Sequence, residues 1–296
     1  QKNPYRNLPE YTRWSRSVQQ KNPYRNLPEY TRWSRSVQQK NPYRNLPEYT
    51  RWSRSVAGKV ASAVDPAAAG FPFEIKRDDR VATGGSCFAQ HIARHLSGRG
   101  FNYFVVESGH PILYFDPSVA EGYNYGTYSA RYVNIYTSRQ LLQLFKRALG
   151  QFKPNEEFWL NDKDQFVDPF RPQIQPNGFA TVRELILDRE RHLRMVRKMF
   201  EELDVFVFTL GLTEYWYCRS DGAVLPVCPG VAGGEFNENT YAFGNLNVFD
   251  VVAALKEFIS LLREVNPKTK PVLTVSPVPL AATAENSHFL IRTHDS

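Results

Sequence analysis

The sequence predicts an α/β fold, a three-layer αβα arrangement around an open, mostly parallel sheet. Three observations point there. Short apolar or β-branched runs lie at residues 80–84, 204–211 and 271–277; helical apolar periodicity occupies the stretches between; and a polar, turn-like segment follows each run. Strands alternating with helices make βαβ units, and strands buried on both faces read as unbroken apolar runs.

The elements follow in order along the chain. "RVATG" at 80–84 is the first strand, "CFAQHIARHL" a helix ending near Gly98, and "FNYFVVE" at 101–107 a second strand. Ser138 is placed as the N-cap of a helix "RQLLQLFKRALG", with Gly150 as its stop. Residues 181–203 form a longer amphipathic helix that feeds the buried run "DVFVFTLG". Residues 248–265 form another, stopped by Asn266-Pro267 ahead of "PVLTVSP". Between Cys218 and Cys228, Asp221-Gly222 signals a two-residue hairpin turn, which sets Cys218 opposite Leu225 and argues against a bond between the two cysteines. Cys87, Cys218 and Cys228 are therefore expected as free thiols.

Ahead of this body, "QKNPYRNLPEYTRWSRSVQ" occurs three times within residues 1–57, the last copy ending in Ala57. Solenoid repeats diverge between copies and differ at their ends, so identity of this kind points to recent duplication or an assembly artefact. The third copy is expected to pack Tyr43 and Trp52 on the domain surface, and residues 58–79 are read as a linker to a domain at 80–296. Each copy carries +3, so three copies exceed the +7 of the whole chain and leave residues 58–296 at −2. A nucleic-acid-binding body is thereby disfavoured. The copies themselves interleave Arg with Tyr and Trp, which leaves a basic arm for nucleic acid or a membrane surface as an alternative reading. No window reaches the ~18 apolar residues of a membrane span and no signal-peptide pattern opens the chain, so a soluble, cytoplasmic protein is expected.

Sites in open parallel sheets lie at the carboxyl ends of strands. Here those ends carry "GGSC" at 84–87, "GLTE" at 211–214 and "SPVP" at 276–279. Two glycines let the chain turn sharply into the next helix, whose unpaired N–H groups and dipole favour a thiolate and a developing oxyanion at Cys87. Ser86 shares that access but needs a base to become nucleophilic. His91 and His95 follow Cys87 on one side of the helix, and helical side chains lean toward the N-terminus, so His91 is within reach as a base. Metal binding by Cys87, His91 and His95 is disfavoured, because i, i+4, i+8 residues climb a helix instead of converging; no cofactor is expected. Asp168-Pro-Phe-Arg171 reads as a rigid turn closed by an ion pair.

"GGSCFAQHIARHL" resembles the defining motif of the GSCFA family, and "NPYRNLPEYTRWSRSVA", "YTSRQLLQLFKRA", "DPFRP", "FTLGLTEYW" and "TVSPVPL" resemble its other blocks, from about residue 40 onward. The family is bacterial and related to the SGNH/GDSL esterases and acyltransferases, which share a flavodoxin-like sheet. The resemblance implies that Gly85-Ser86-Cys87 lies where those esterases have Gly-Asp-Ser, with Cys87 on the nucleophile. In "VNIY", Val133 and Asn134 stand where an oxyanion glycine is expected. "GLTE" falls on the Gly-x-Asn block, so that Gly211 is kept, Thr213 replaces the oxyanion Asn and Glu214 sits beside it. The Asp-x-x-His element that supplies the SGNH base is absent, and His288 and His294 lack its spacing, which implies a domain incomplete at its C-terminus or a base from elsewhere.

The expected function is an acyl esterase or acyltransferase acting on a small acyl ester, such as acetyl on a carbohydrate. Cys87 attacks, Asn134 and Thr213 help hold the oxyanion, and a histidine such as His91 moves the proton. The alternative is a catalytically impaired binding protein with a cleft lined by Tyr215 and Trp216. The sequence leaves the oligomeric state open.

Overall fold

The computed structural model describes residues 45–60, 63–64 and 70–295. It divides into two compact units, Gln1–Glu74 and Ile75–Ser296. In the first, a single 3-10 turn Glu48–Thr50 is followed by a helical turn Trp52–Ser55. Trp52 is exposed there. Tyr43 and the first two repeat copies lie outside the described residues.

The second unit is α/β. Strands β1 (Val81–Gly84), β4 (Val205–Leu210) and β8 (Lys270–Val275) form a parallel sheet in the order β1-β4-β8. Val81 pairs with Val205 and Val205 with Lys270, all in parallel register. Beyond β1, Tyr103 makes one parallel bridge to Val81. The expected strand at 101–107 shrinks to this bridge, for a physical reason. Past Phe104 the chain turns to carry Glu107 into the interior, where it is 2% exposed and bonded to His192 at 2.8 Å.

Both faces of the sheet are covered. Val81, Val205 and Val207 pack with Ile92 and Leu96 of α1 (Cys87–Gly98). The alternate residues Ala82, Phe206 and Phe208 face helices α3 (Ser138–Ala148), α4 (Val182–Glu202) and α5 (Val248–Val265). Phe145, Phe200, Phe206 and Phe258 meet edge to face or tilted, with centroids 4.8 Å apart for Phe145–Phe200 and 5.1 Å for Phe200–Phe206. Such pairs add to the gain from burying the rings.

Helix ends obey local chemistry. Thr137, not Ser138, caps α3, its hydroxyl accepting from the Gln140 N–H at 3.1 Å, while Ser138 is buried as the first helical residue. Asn247 and Asp250 form a capping box at the start of α5, and Asn266 terminates it. Between β1 and α3 lies a short helix α2 (Pro117–Gly122).

Two smaller antiparallel sheets fill the long crossovers. β2 (Trp159–Leu160) pairs with β3 (Phe166–Val167), and β5 (Glu214–Cys218) lies between β6 (Val224–Leu225) and β7 (Tyr241–Asn245). The hairpin register differs from the sequence expectation. Leu225 lies opposite Trp216, and the Cys218 N–H donates to the Ala223 carbonyl, so the loop has four residues. Asp221 causes this, because its carboxylate accepts from the N–H groups of Ala223 and Asn155 and cannot sit at a two-residue tip. The three cysteines are free thiols.

Candidate active site

The local path at Cys87 is set by Gly85. Its φ of 144° excludes ordinary side chains, and a Cβ there would lie 2.9 Å from Thr209 Cβ and 3.0 Å from the Thr209 carbonyl oxygen. The chain therefore leaves β1 against β4 and turns directly into α1. Ser86 is the N-cap residue, and its side chain makes no capping hydrogen bond. Cys87 is the first residue of the helix and is exposed. The Ala89 N–H donates back to the Ser86 carbonyl at 2.9 Å, which leaves the N–H groups ahead of it, at Cys87 and Phe88, as donors for an acyl oxygen next to the thiol.

Two further loops are tied to this turn. Val133 holds a φ of 60°, a left-handed backbone that β-branched residues rarely adopt. It redirects the chain so that the Ile135 N–H donates to the Gly85 carbonyl at 2.9 Å. The Tyr136 carbonyl then accepts from Gly211 and Leu212 N–H groups at the end of β4. The Ser276 N–H donates to the Leu210 carbonyl, bringing in the segment after β8. The Tyr103 segment lies on one side of β1 and β4 on the other, so the loops meet where the direction of strand succession reverses. That is the usual place for a ligand in an open parallel sheet.

A cleft of about 620 Å³ opens here. Ser86, Cys87, Tyr136, Gly211 and Glu214 lie on its wall, and Thr283 in the segment after β8 donates to Glu214 Oε1 at 2.6 Å. Behind that wall runs a directed hydrogen-bond chain. Gln90 Nε2 donates to the Tyr128 hydroxyl at 2.8 Å, and Tyr128 donates to Asn134 Oδ1 at 2.6 Å. Asn134 also neighbours Tyr136, which stands on the cleft wall. Burial first, and the nearby Cys87 second, raise the Tyr136 pKa, so the hydroxyl keeps its proton at neutral pH. Burial pushes Tyr128 up to about 12.

The structure brings Ser86, Cys87, Gly211, Glu214, Tyr215 and Trp216 together on one cleft, with Gly85 beneath them. Tyr215 packs over Gly244, and Arg139 lies 5.2 Å over its ring. Asn134 stands behind the wall, accepting from the Tyr128 hydroxyl. Thr213 lines a neighbouring groove with Leu212 and Val275 instead of the Cys87 cleft. His91 is exposed on α1, its ring centroid 6.4 Å from that of Phe88. Among the described residues, no histidine lines the cleft and no group of three or more His, Cys, Asp or Glu is arranged to hold a metal. His288 caps the chain locally, bonded to the Leu290 N–H.

The buried histidine is His192, which the sequence reading missed. It pairs with Glu107 and belongs to a network in which Arg131 and Arg171 both bind Asp188, and Arg171 and Arg189 bind Asp168. It lines an interior cavity of about 20 Å³ with Arg147 and Arg171, apart from the cleft. Burial would raise the Glu107 pKa, but His192, Arg171 and the Arg131 N–H outweigh it and hold the group at about 2. Burial and Arg171 lower His192, so a neutral imidazole donates from Nδ1 to the Glu107 carboxylate. Tyr136, Tyr128 and Gln90 were also missed. Their one signal, tyrosines crowding a strand-end loop, reads equally well as core.

An α/β domain with a thiol at the switch point of its parallel sheet is the class that fold and cleft define. The chain belongs to the GSCFA family, whose family model matches residues 80–296. The Gly85-Ser86-Cys87-Phe88-Ala89 turn lies inside that match, at the junction of β1 and α1. Comparison with curated proteins and with solved structures gives no match.

Proposed function

We propose that this GSCFA-family protein is an acyl esterase or acyltransferase with Cys87 as its nucleophile. The observation that carries the reading is an exposed thiol on the first turn of α1, opening on a cleft whose wall also carries Tyr136 and the Glu214 carboxylate. The succession of Tyr103 segment, β1, β4 and β8 agrees with the order 2-1-3-4 of a flavodoxin-like, SGNH-related sheet.

The chemistry follows from these positions. Cys87 Sγ attacks the acyl carbonyl carbon, and the thiol proton passes to Glu214, the carboxylate among the described residues on the cleft wall. The carbonyl oxygen becomes an oxyanion held by first-turn N–H of α1 and by the Tyr136 hydroxyl. Collapse breaks the carbon–oxygen bond to the leaving alcohol, which takes the proton from Glu214 and leaves a thioester. Water, or an acceptor hydroxyl, then attacks the thioester through the same oxyanion, returning the proton to sulfur. His91 supplies no step in this scheme because it stands outside the cleft.

The test is hydrolysis of 4-nitrophenyl acetate by the wild-type protein and by Cys87→Ala. Loss of turnover in the variant is expected, and equal rates would end the proposal. A second reading, a binding protein that has kept the fold, draws on the observation that among the described residues no histidine lines the cleft. Under it, the wild-type protein turns over 4-nitrophenyl acetate no faster than Cys87→Ala does.

A further inference from the structure

The cleft is sorted by chemistry along its length. Ser86, Tyr136 and Gly211 meet where β4 ends, and β5 runs on from Glu214 to Trp216, which lies beside Phe243 and Leu225. Beyond them the wall is hydrocarbon: Trp216 and Phe243 from the β6-β5-β7 sheet, Leu225 and Val227 beside them, and Val278 and Leu280 from the segment after β8. Trp216 and Phe243 are locked edge to face, with centroids 5.5 Å apart, and Phe236 packs on Trp216 at 5.4 Å. The aromatic floor is thus rigid.

Several polar side chains near the thiol are already engaged with the protein, although the Ser86 hydroxyl makes no capping bond. Gln140 accepts from the Tyr136 N–H at 2.8 Å and donates to the Asn134 carbonyl at 2.9 Å. Glu214 holds Thr283, and Arg139 donates to the Tyr215 hydroxyl. A sugar ring needs several uncommitted donors and acceptors around it, and this wall offers few. An acetyl group would touch only the Cys87 end and leave most of the roughly 620 Å³ unused.

We propose that the acyl group handled here is an unbranched hydrocarbon chain longer than acetyl, laid along Trp216 and Phe243 with its carbonyl at Cys87. This rests on the acyl-transfer reading of Cys87 and names the substrate class of that site. Each methylene placed on such a wall contributes about 0.8 kcal/mol, which is about fourfold in kcat/KM. The rise stops when the chain reaches the mouth of the cleft.

The experiment measures kcat/KM for 4-nitrophenyl esters from acetate to decanoate, on the full chain. A rise of several-fold per methylene that levels off at longer chains is expected, and Trp216→Ala should flatten it. Cys87-dependent hydrolysis with rates that are flat or falling along the series overturns the chain proposal and leaves the acyl-transfer reading standing. Rates equal in wild type and Cys87→Ala at every length sink the acyl-transfer reading instead. Calorimetry of decanoate against Cys87→Ala decides the cleft without catalysis. Saturable binding with a negative heat-capacity change, absent for acetate, supports an acyl-chain site, and no binding overturns it.

Discussion

Glu214 stands on the cleft wall with one carboxylate oxygen held by Thr283 at 2.6 Å, whereas His91 is exposed on the outer face of α1. If Glu214 moves the proton, Glu214→Gln lowers kcat by about 10²–10⁴, while His91→Ala stays within about twofold of wild type. Steady-state rates across pH 5–9 separate the two, and a loss confined to His91→Ala would reassign the base. Tyr136→Phe should lower kcat by about 10²–10³ with little change in KM, as for removal of an oxyanion donor. Iodoacetamide modification of Cys87 in the same variant should keep its wild-type rate, since the thiol itself is untouched. Gly85 tests the geometry that aims the thiol. A Cβ there falls 2.9 Å from Thr209 Cβ at a φ of 144°, so Gly85→Ala should destabilise by about 1–3 kcal/mol and displace Cys87, read by chemical unfolding and by activity together.

Among the elements, the helices were the most legible. Residues 248–265 are helical from end to end as read, because the capping box, the apolar periodicity and Asn266-Pro267 all agree. The hairpin register was not, because a side chain's partners decide it. Asp221-Gly222 has the composition of a two-residue turn until Asn155, 66 residues away, claims the Asp221 carboxylate. The strand at 101–107 failed for the same reason, as Glu107 leaves the sheet to meet His192, 85 residues on. Of the buried charge network, only Asp168 and Arg171, three apart, were visible in sequence. That network makes the fold acid-sensitive. Glu107 is held at about 2, against ~4.3 unfolded, so its contribution is present above the unfolded value and lost as pH falls toward 2. Asp168, held below the usual carboxylate range against its own burial by Arg171, Arg189 and Arg147, acts in the same direction. His192, buried and neutral, loses its contribution as the unfolded ring protonates below ~6.5. Urea midpoints should therefore decline from about pH 6.5 and steeply below 5, and a flat profile to pH 3 would contradict the assignment. Phe200, 1% exposed among three other rings, should cost about 3–5 kcal/mol when truncated to Ala.

At the scale of the molecule, charge and chemistry separate. The repeats of residues 1–57 hold the positive excess, and residues 58–296 carry −2. Any binding of an RNA homopolymer should then be weak, fall with salt, and vanish when residues 1–57 are removed, whereas retention by residues 58–296 would locate a basic surface the charge count does not reveal. Composition described the repeats, but the site was legible only through strand ends. "GGSC" and "GLTE" were found because a parallel sheet puts its loops there. Tyr128 and Tyr136 come from a loop that no periodicity marks, and they come near Cys87 only through folding. Among the described residues no helix is long and apolar enough to cross a membrane. Whether the sulfur of Cys87 carries an acyl group decides the function. The direct measurement is mass spectrometry of the protein quenched in acid during turnover of 4-nitrophenyl decanoate. A single acyl adduct on the peptide containing Cys87, lost in Cys87→Ala, is predicted; no adduct, or the same adduct in both proteins, would contradict it.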